Sequence, residues 1–112
     1  MTNQEFYENH LKLLAENDVN VLVEHDYHDD AEMILHVADE PIHLKGKEAL
    51  LQQLGDYLKY IYRGFISTEK LAITDDSIFL EATINTTNGP SKVYDALYMK
   101  DGKIFRHYSG LK

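Results

Sequence analysis

The segment from Glu69 to Tyr108, EKLAITDDSIFLEATINTTNGPSKVYDALYMKDGKIFRHY, decides the fold. Three turn signals punctuate it. Asp101-Gly102, flanked by Lys100 and Lys103, is the strongest, because a type I′ hairpin turn needs positive φ at both central residues. Asn88-Gly89 is the second signal and Asp75-Asp76 the third. Taken as two-residue loops, they set the register of an antiparallel meander. Met99 then faces Ile104, Leu97 faces Arg106, and Asp95 faces Tyr108. Ile78, Leu80, Ala82 and Ile84 lie across from Met99, Leu97, Asp95 and Val93, while Ile73, Leu71 and Glu69 pair with Ile78, Leu80 and Ala82.

In that register one face is apolar: Leu71, Ile73, Ile78, Leu80 and Ile84 continue into Val93, Leu97, Met99 and Ile104. It must pack against the rest of the molecule. Glu69, Ala82, Asp95 and Tyr108 form one cross-strand row on it, with Arg106 one row away. Polar groups on a buried face are the raw material of a small-molecule site. The opposite face sets Lys70 against Glu81 and Thr68 against Thr83, and carries Phe79, Tyr98 and Phe105 in a row. An exposed aromatic stripe of this kind marks association, so a homodimer through the outer sheet face is expected. A one-residue slip in any turn would move its strand to the other face.

With 112 residues there is one domain, residues 1–112, and room for one modest cavity. The 11 basic and 19 acidic residues leave a net charge of -8, which repels phosphate backbones and anionic lipid, so neither nucleic acid nor membrane is an expected partner. Cysteine is absent, so there is no disulfide framework and no thiolate chemistry. The start MTNQEFYENH lacks a basic cluster and an apolar run, and a cytoplasmic location is expected.

Upstream, Thr2 with Glu5 forms a capping box for a helix that keeps its period through about Glu16. Asp18 caps a shorter helix carrying Val19, Leu22 and Val23 and ending before His25-Asp26-Tyr27. A short strand, Met33 to Val37, precedes the loop around Pro41. Gly46-Lys47-Glu48 opens a third helix with Leu50, Leu51, Leu54, Leu58 and Ile61 on its stripe, and Gly64 closes it. Three helices before a meander make a segregated α+β plan, with the helices covering a concave sheet face and a tapered cavity at the open end.

Four segments in this order resemble the nuclear transport factor 2-like superfamily, in its SnoaL-like and ketosteroid-isomerase-like branch: the amphipathic first helix, Tyr27-His28-Asp29-Asp30-Ala31-Glu32-Met33, Gly46-Lys47-Glu48-Ala49-Leu50, and Asp95-Ala96-Leu97-Tyr98-Met99-Lys100-Asp101-Gly102-Lys103-Ile104. The resemblance implies a cone-shaped, cystatin-like barrel of three N-terminal helices on a curved antiparallel sheet, a pocket lined by both, and dimerisation through the outer face. Relatives include isomerases, polyketide cyclases, epoxide hydrolases, dehydratases and proteins without catalysis, so fold leaves function open. The implied activity is a cofactor-free isomerase, cyclase or hydratase acting on a small apolar or aromatic molecule. The alternative is a non-catalytic ligand-binding or dimerising module. Limonene epoxide hydrolase, another relative, has an Asp-Arg-Asp cluster. Asp95 and Arg106 are similar to part of it, whereas Ser109, Gly110 and Leu111 stand where its second aspartate would be sought.

Asp95 is the prospective general base. Burial would raise its pKa toward neutrality, whereas an ion pair with Arg106 would lower it and make it an anchor. Tyr108, and Tyr7 from across the cavity, are prospective donors to a developing oxyanion. His10 on the first helix and His36 on the short strand point inward as pocket-lining groups, Leu97 on the inner sheet face lines the same pocket, and Glu69 lies toward the start of its strand, where the sheet frays. His25 and His28 beside Asp29-Asp30 superficially offer metal ligands, but they diverge along a solvated turn, so no metal or cofactor is expected. His107 falls on the outer face.

Overall fold

The computed structural model describes all residues, 1–112. Its elements are α1 (Asn3–Glu16), α2 (Val19–Asp26), β1 (Tyr27–His36), β2 (Ile42–Lys45), α3 (Gly46–Tyr60), β3 (Tyr62–Ile73), β4 (Ser77–Thr86), β5 (Gly89–Lys100) and β6 (Lys103–Leu111). Three helices pack on one side of a curved, unclosed six-stranded sheet of order β2-β1-β6-β5-β4-β3, the α+β cone expected. Two strands, however, intervene between α2 and α3, and β1 runs parallel to β6, so the sheet is not wholly antiparallel. β1 begins at Tyr27 rather than Met33. The hairpin strand β2 carries too little pattern to announce itself in four residues.

Both N-terminal helices start as their caps dictate. The Thr2 hydroxyl accepts from the Glu5 amide while the Glu5 carboxylate accepts from the Thr2 amide, and Asp18 accepts from the amides of Asn20 and Val21. α3 ends at Tyr60, and Gly64 belongs to β3. No helix is long and apolar enough to cross a membrane.

The turns divide. Lys100 pairs with Lys103 around Asp101 (φ 56) and Gly102 (φ 75), the type I′ geometry anticipated. Ile73 pairs with Ile78 around Asp75-Asp76. At the middle hairpin Thr86 pairs with Gly89, so the loop is Thr87-Asn88 and Gly89 (φ 97) is the left-handed residue after it. Contacts with the end of α3 fix this choice: the Thr87 amide donates to Ile61 O at 3.0 Å and its hydroxyl to Tyr60 O at 3.2 Å. The register therefore moves by two, with Ile78 against Leu97 and Leu80 against Asp95. An even displacement leaves every side chain on its expected face.

Single-residue bulges do what that displacement does not, and two of them bear on the predicted site residues. Met99 pairs with Ile104 but Tyr98 with Arg106, leaving Phe105 as an extra residue in β6. Beyond it, Leu97 faces His107 and Asp95 faces Ser109. Likewise Thr68, not Glu69, pairs with Ala82, because Glu69 is looped out. The core lies between helices and concave face, around Tyr27, Leu50, Ile78, Leu97 and Ile104. Leu71 and Ile73 were expected inside it but remain 37% and 36% exposed, since β3 is an edge strand that the helices only partly cover.

Candidate functional site

The Phe105 bulge sorts the predicted site residues onto two sides. Asp95 stays on the concave face with its side chain 21% exposed. Its partner is neither Arg106 nor Tyr108 but His107, whose Nε2 donates to Asp95 Oδ1 at 2.7 Å. Arg106 lies on the convex face, its guanidinium 2.7 Å from Glu32 Oε2 and stacked over Phe105. Tyr108 is also convex, edge-on to Tyr98. His36 bonds the Tyr94 hydroxyl there at 3.0 Å, and the looped-out Glu69 accepts from the hydroxyls of Ser67 and Thr83. On the concave side, buried Tyr7 shares a 2.8 Å hydrogen bond with Thr68, and His10 and Leu97 are buried as well. Asp95, Tyr7, His10 and Leu97 are thus brought together, while Arg106, Tyr108, His36 and Glu69 are carried away.

Two chains of hydrogen bonds meet in the interior. The first runs from Asp95 through His107 to Tyr27. With His107 Nε2–H committed to the carboxylate, Nδ1 accepts from the Tyr27 hydroxyl at 2.9 Å, and that phenol is fully buried. The second is centred on Asp26, which is also fully buried. Asp26 Oδ2 lies 2.6 Å from His10 Nδ1, and its Oδ1 lies 2.6 Å from His25 Nδ1. The His10 ring stands edge-on to Tyr27, with centroids 6.4 Å apart, so the two chains touch.

Asp95 is one of two carboxylates in this interior, the other being Asp26. Burial pushes the Asp95 carboxyl up, but hydrogen bonds from His107 and Ser109 and the proximity of His10 outweigh it and hold it below the ordinary carboxylate range. Phenols from three elements feel that charge: Tyr7 on α1, Tyr27 on β1 and Tyr57 on α3 are raised chiefly by burial and further by Asp95. All three remain neutral hydrogen-bond donors at any physiological pH. Tyr57, packed on Tyr62, is the one whose hydroxyl makes no hydrogen bond within the protein.

Two of the surface depressions lie around this interior. One, of about 380 Å³, lies between α2 and α3 at Asn17, Gly55 and Arg63. The other, about 960 Å³ and open, is bordered by Val21, His25, Lys47, Leu51 and the Asp101-Gly102 turn. Neither reaches Asp95, although His25 at the rim of the larger one is the outer end of the Asp26 chain. No group of three or more His, Cys, Asp or Glu side chains converges on a common metal position.

Sequence reasoning missed Asp26, Tyr27 and Tyr57, and it placed His107 on the outer face, whereas the Phe105 bulge turns it to the concave face beside Asp95. Asp26 was legible in principle, for it stands four residues after Leu22 and three after Val23, on the stripe that α2 buries. The run His25-Asp26-Tyr27 is therefore no solvated turn. His107 carried no signal, because Phe105 is not a residue that marks a bulge.

No family model and no curated protein matches the sequence. Solved structures do. A nuclear transport factor 2-like protein of unknown function from Mesorhizobium loti superposes with a TM-score of 0.81 at 14% identity, over 97% of this chain and 89% of that one. A Mesorhizobium loti protein assigned as a SnoaL-like polyketide cyclase gives 0.74 at 22% identity, over 97% and 98%. A steroid delta-isomerase from Pseudomonas aeruginosa gives 0.75 at 19% identity, over 97% and 78%. At these identities the likeness establishes the fold.

Proposed function

From the nuclear transport factor 2-like fold as premise, we propose that this chain encloses a small apolar or aromatic carbonyl compound and moves a proton on it without a cofactor, as an isomerase, cyclase or hydratase would. The observation that carries this is a charged Asp95 held on the concave face with no lysine or arginine beside it, among two buried phenols, Tyr7 and Tyr27, and the partly buried Tyr57. Asp95 accepts the proton. A carboxylate held below its usual pKa is a weak base, so its substrate has an acidic C–H, as between two carbonyls. Tyr57, with a free hydroxyl, donates to the oxygen on which charge develops. His107, braced by Tyr27, orients the carboxylate. The polyketide cyclase assignment and the steroid isomerase among the structural neighbours support this class.

The test is deuterium uptake from D2O into a panel of aromatic 1,3-dicarbonyl compounds. Asp95→Asn should lose about 100-fold or more of the exchange rate while remaining folded. Equal rates in the variant, or no exchange in the wild type, overturn the assignment. A second reading, a non-catalytic ligand-binding or dimerising module, is favoured by one observation: Phe79 and Tyr98 are exposed side by side on the sheet face away from the helices. Under it, Phe79 and Tyr98 on the convex face join two copies.

A further inference from the structure

The two histidines of this interior differ in one respect that decides what each can do. Both are paired with a carboxylate, but through opposite nitrogens. His107 gives its Nε2–H to Asp95, and its remaining lone pair, on Nδ1, is occupied by the Tyr27 hydroxyl. It has no nitrogen left for a ligand. His10 gives its Nδ1–H to Asp26. Its Nε2 meets no protein group, and that atom is not among the sealed polar atoms of the interior. A carboxylate behind one ring nitrogen fixes the tautomer and leaves the other as a bare lone pair, which is the arrangement of an imidazole that transfers protons.

Asp26 itself is unusual. It is a fully buried carboxylate whose partners are two imidazoles, with no lysine, arginine or backbone amide on its oxygens. Such a group is costly to desolvate, and a purely structural position would be served by an apolar residue of similar volume. Its second oxygen accepts from His25, whose side chain is 52% exposed at the rim of the large depression. A continuous line of hydrogen bonds therefore runs from solvent at His25, through Asp26, to His10 inside the cone. The ionisable groups around the inner end are Asp26 from α2, Tyr27 from β1 and Asp95 from β5, and His10 lies near enough to Asp95 for each to influence the other's charge.

We propose that His10 is a second proton-transfer residue of this site, presenting an unprotonated Nε2 to the bound molecule, and that Asp26 and His25 connect it to solvent. This rests on the proton-transfer reading above. Asp95 and the bare Nε2 of His10 each accept a proton from the bound molecule and return it at the other reacting atom, which for a cyclisation or isomerisation leaves no net change in protons. While His10 holds the extra proton on Nε2, its Nδ1 proton is free to exchange with solvent along Asp26 and His25.

Two measurements test the assignment. Long-range proton–nitrogen NMR of the ligand-free wild type should show His10 with hydrogen on Nδ1 and none on Nε2 at neutral pH. An Nε2–H tautomer overturns the proposal without any substrate. In the deuterium-exchange assay, His10→Asn is the informative variant, because the asparagine amide reproduces the Nδ1–H donor to Asp26 and deletes only Nε2. Exchange should fall about 100-fold or more in a variant whose unfolding temperature is near that of the wild type. If Asp95→Asn abolishes exchange and His10→Asn does not, the His10 proposal fails and the Asp95 reading stands. If His10→Asn abolishes exchange and Asp95→Asn does not, the Asp95 reading fails instead. A wild type that exchanges nothing overturns both.

Discussion

Arg106 and His107 are neighbours in the chain and lie on opposite faces of the sheet, Arg106 bonded to Glu32 on the convex side and His107 to Asp95 on the concave side, each at 2.7 Å. Truncating them should therefore have unequal effects. His107→Ala leaves a partly buried carboxylate and a fully buried phenol without their partner and should cost about 2–3 kcal/mol. Arg106→Ala removes a partly exposed pair and should cost about 1 kcal/mol or less. Urea unfolding of the two variants measures the difference, and equal losses would contradict the bulged register of β6.

The cone, the capped helices and the meander were all legible in the sequence, because each is announced by a local rule. Thr2 with Glu5 is a capping box, and Asp101-Gly102 supplies the positive φ of its turn. The displaced middle hairpin did no harm, since a shift of two residues preserves the face. The site was less legible for a different reason: single-residue bulges at Phe105 and Glu69 reverse the faces beyond them. Neither bulge carries a glycine, so nothing local predicted it, and tertiary packing chose it. Asp95 kept its place because the inversions lie on other strands, β6 and β3, and not on β5 or β4.

Acidification should reveal the Asp95 network. A carboxylate whose native pKa is depressed contributes stability that is fully present above its unfolded value, roughly 4, and is lost as pH falls through the lower native value. Wild-type stability should thus decline between about pH 5 and pH 2. Asp95→Asn should be less stable at pH 7 and flatter over that window. Denaturation at a series of pH values checks this; parallel curves would mean that the carboxylate carries no differential charge interaction.

Gly110 is the residue that lets Tyr94 reach His36. The phenol crosses β6 directly over Gly110, and a Cβ there would collide with the far end of the Tyr94 ring. Gly110→Ala should therefore cost about 1–3 kcal/mol. Because the clash is with the ring, Tyr94→Leu should remove most of that penalty, giving a non-additive double-mutant cycle. Additive effects would mean that the alanine strains the backbone instead.

The convex aromatic stripe is narrower than its sequence suggested. Phe105 is already covered, with Lys100 and Arg106 over its ring and His28 at its edge. That leaves Phe79, 39% exposed, and Tyr98, 51% exposed, as the apolar surface offered to a second copy. If two chains associate there, these two residues sit at the centre of the contact, where an aromatic anchor typically contributes about 2 kcal/mol, or roughly 30-fold in affinity. Sedimentation equilibrium of the wild type should show a dimer, while Phe79→Lys and Tyr98→Lys should shift it to monomer by about that factor. Arg106→Ala, which uncovers Phe105, should strengthen association rather than weaken it. A wild type that sediments as a monomer at every concentration removes the convex face from consideration as a joint between copies.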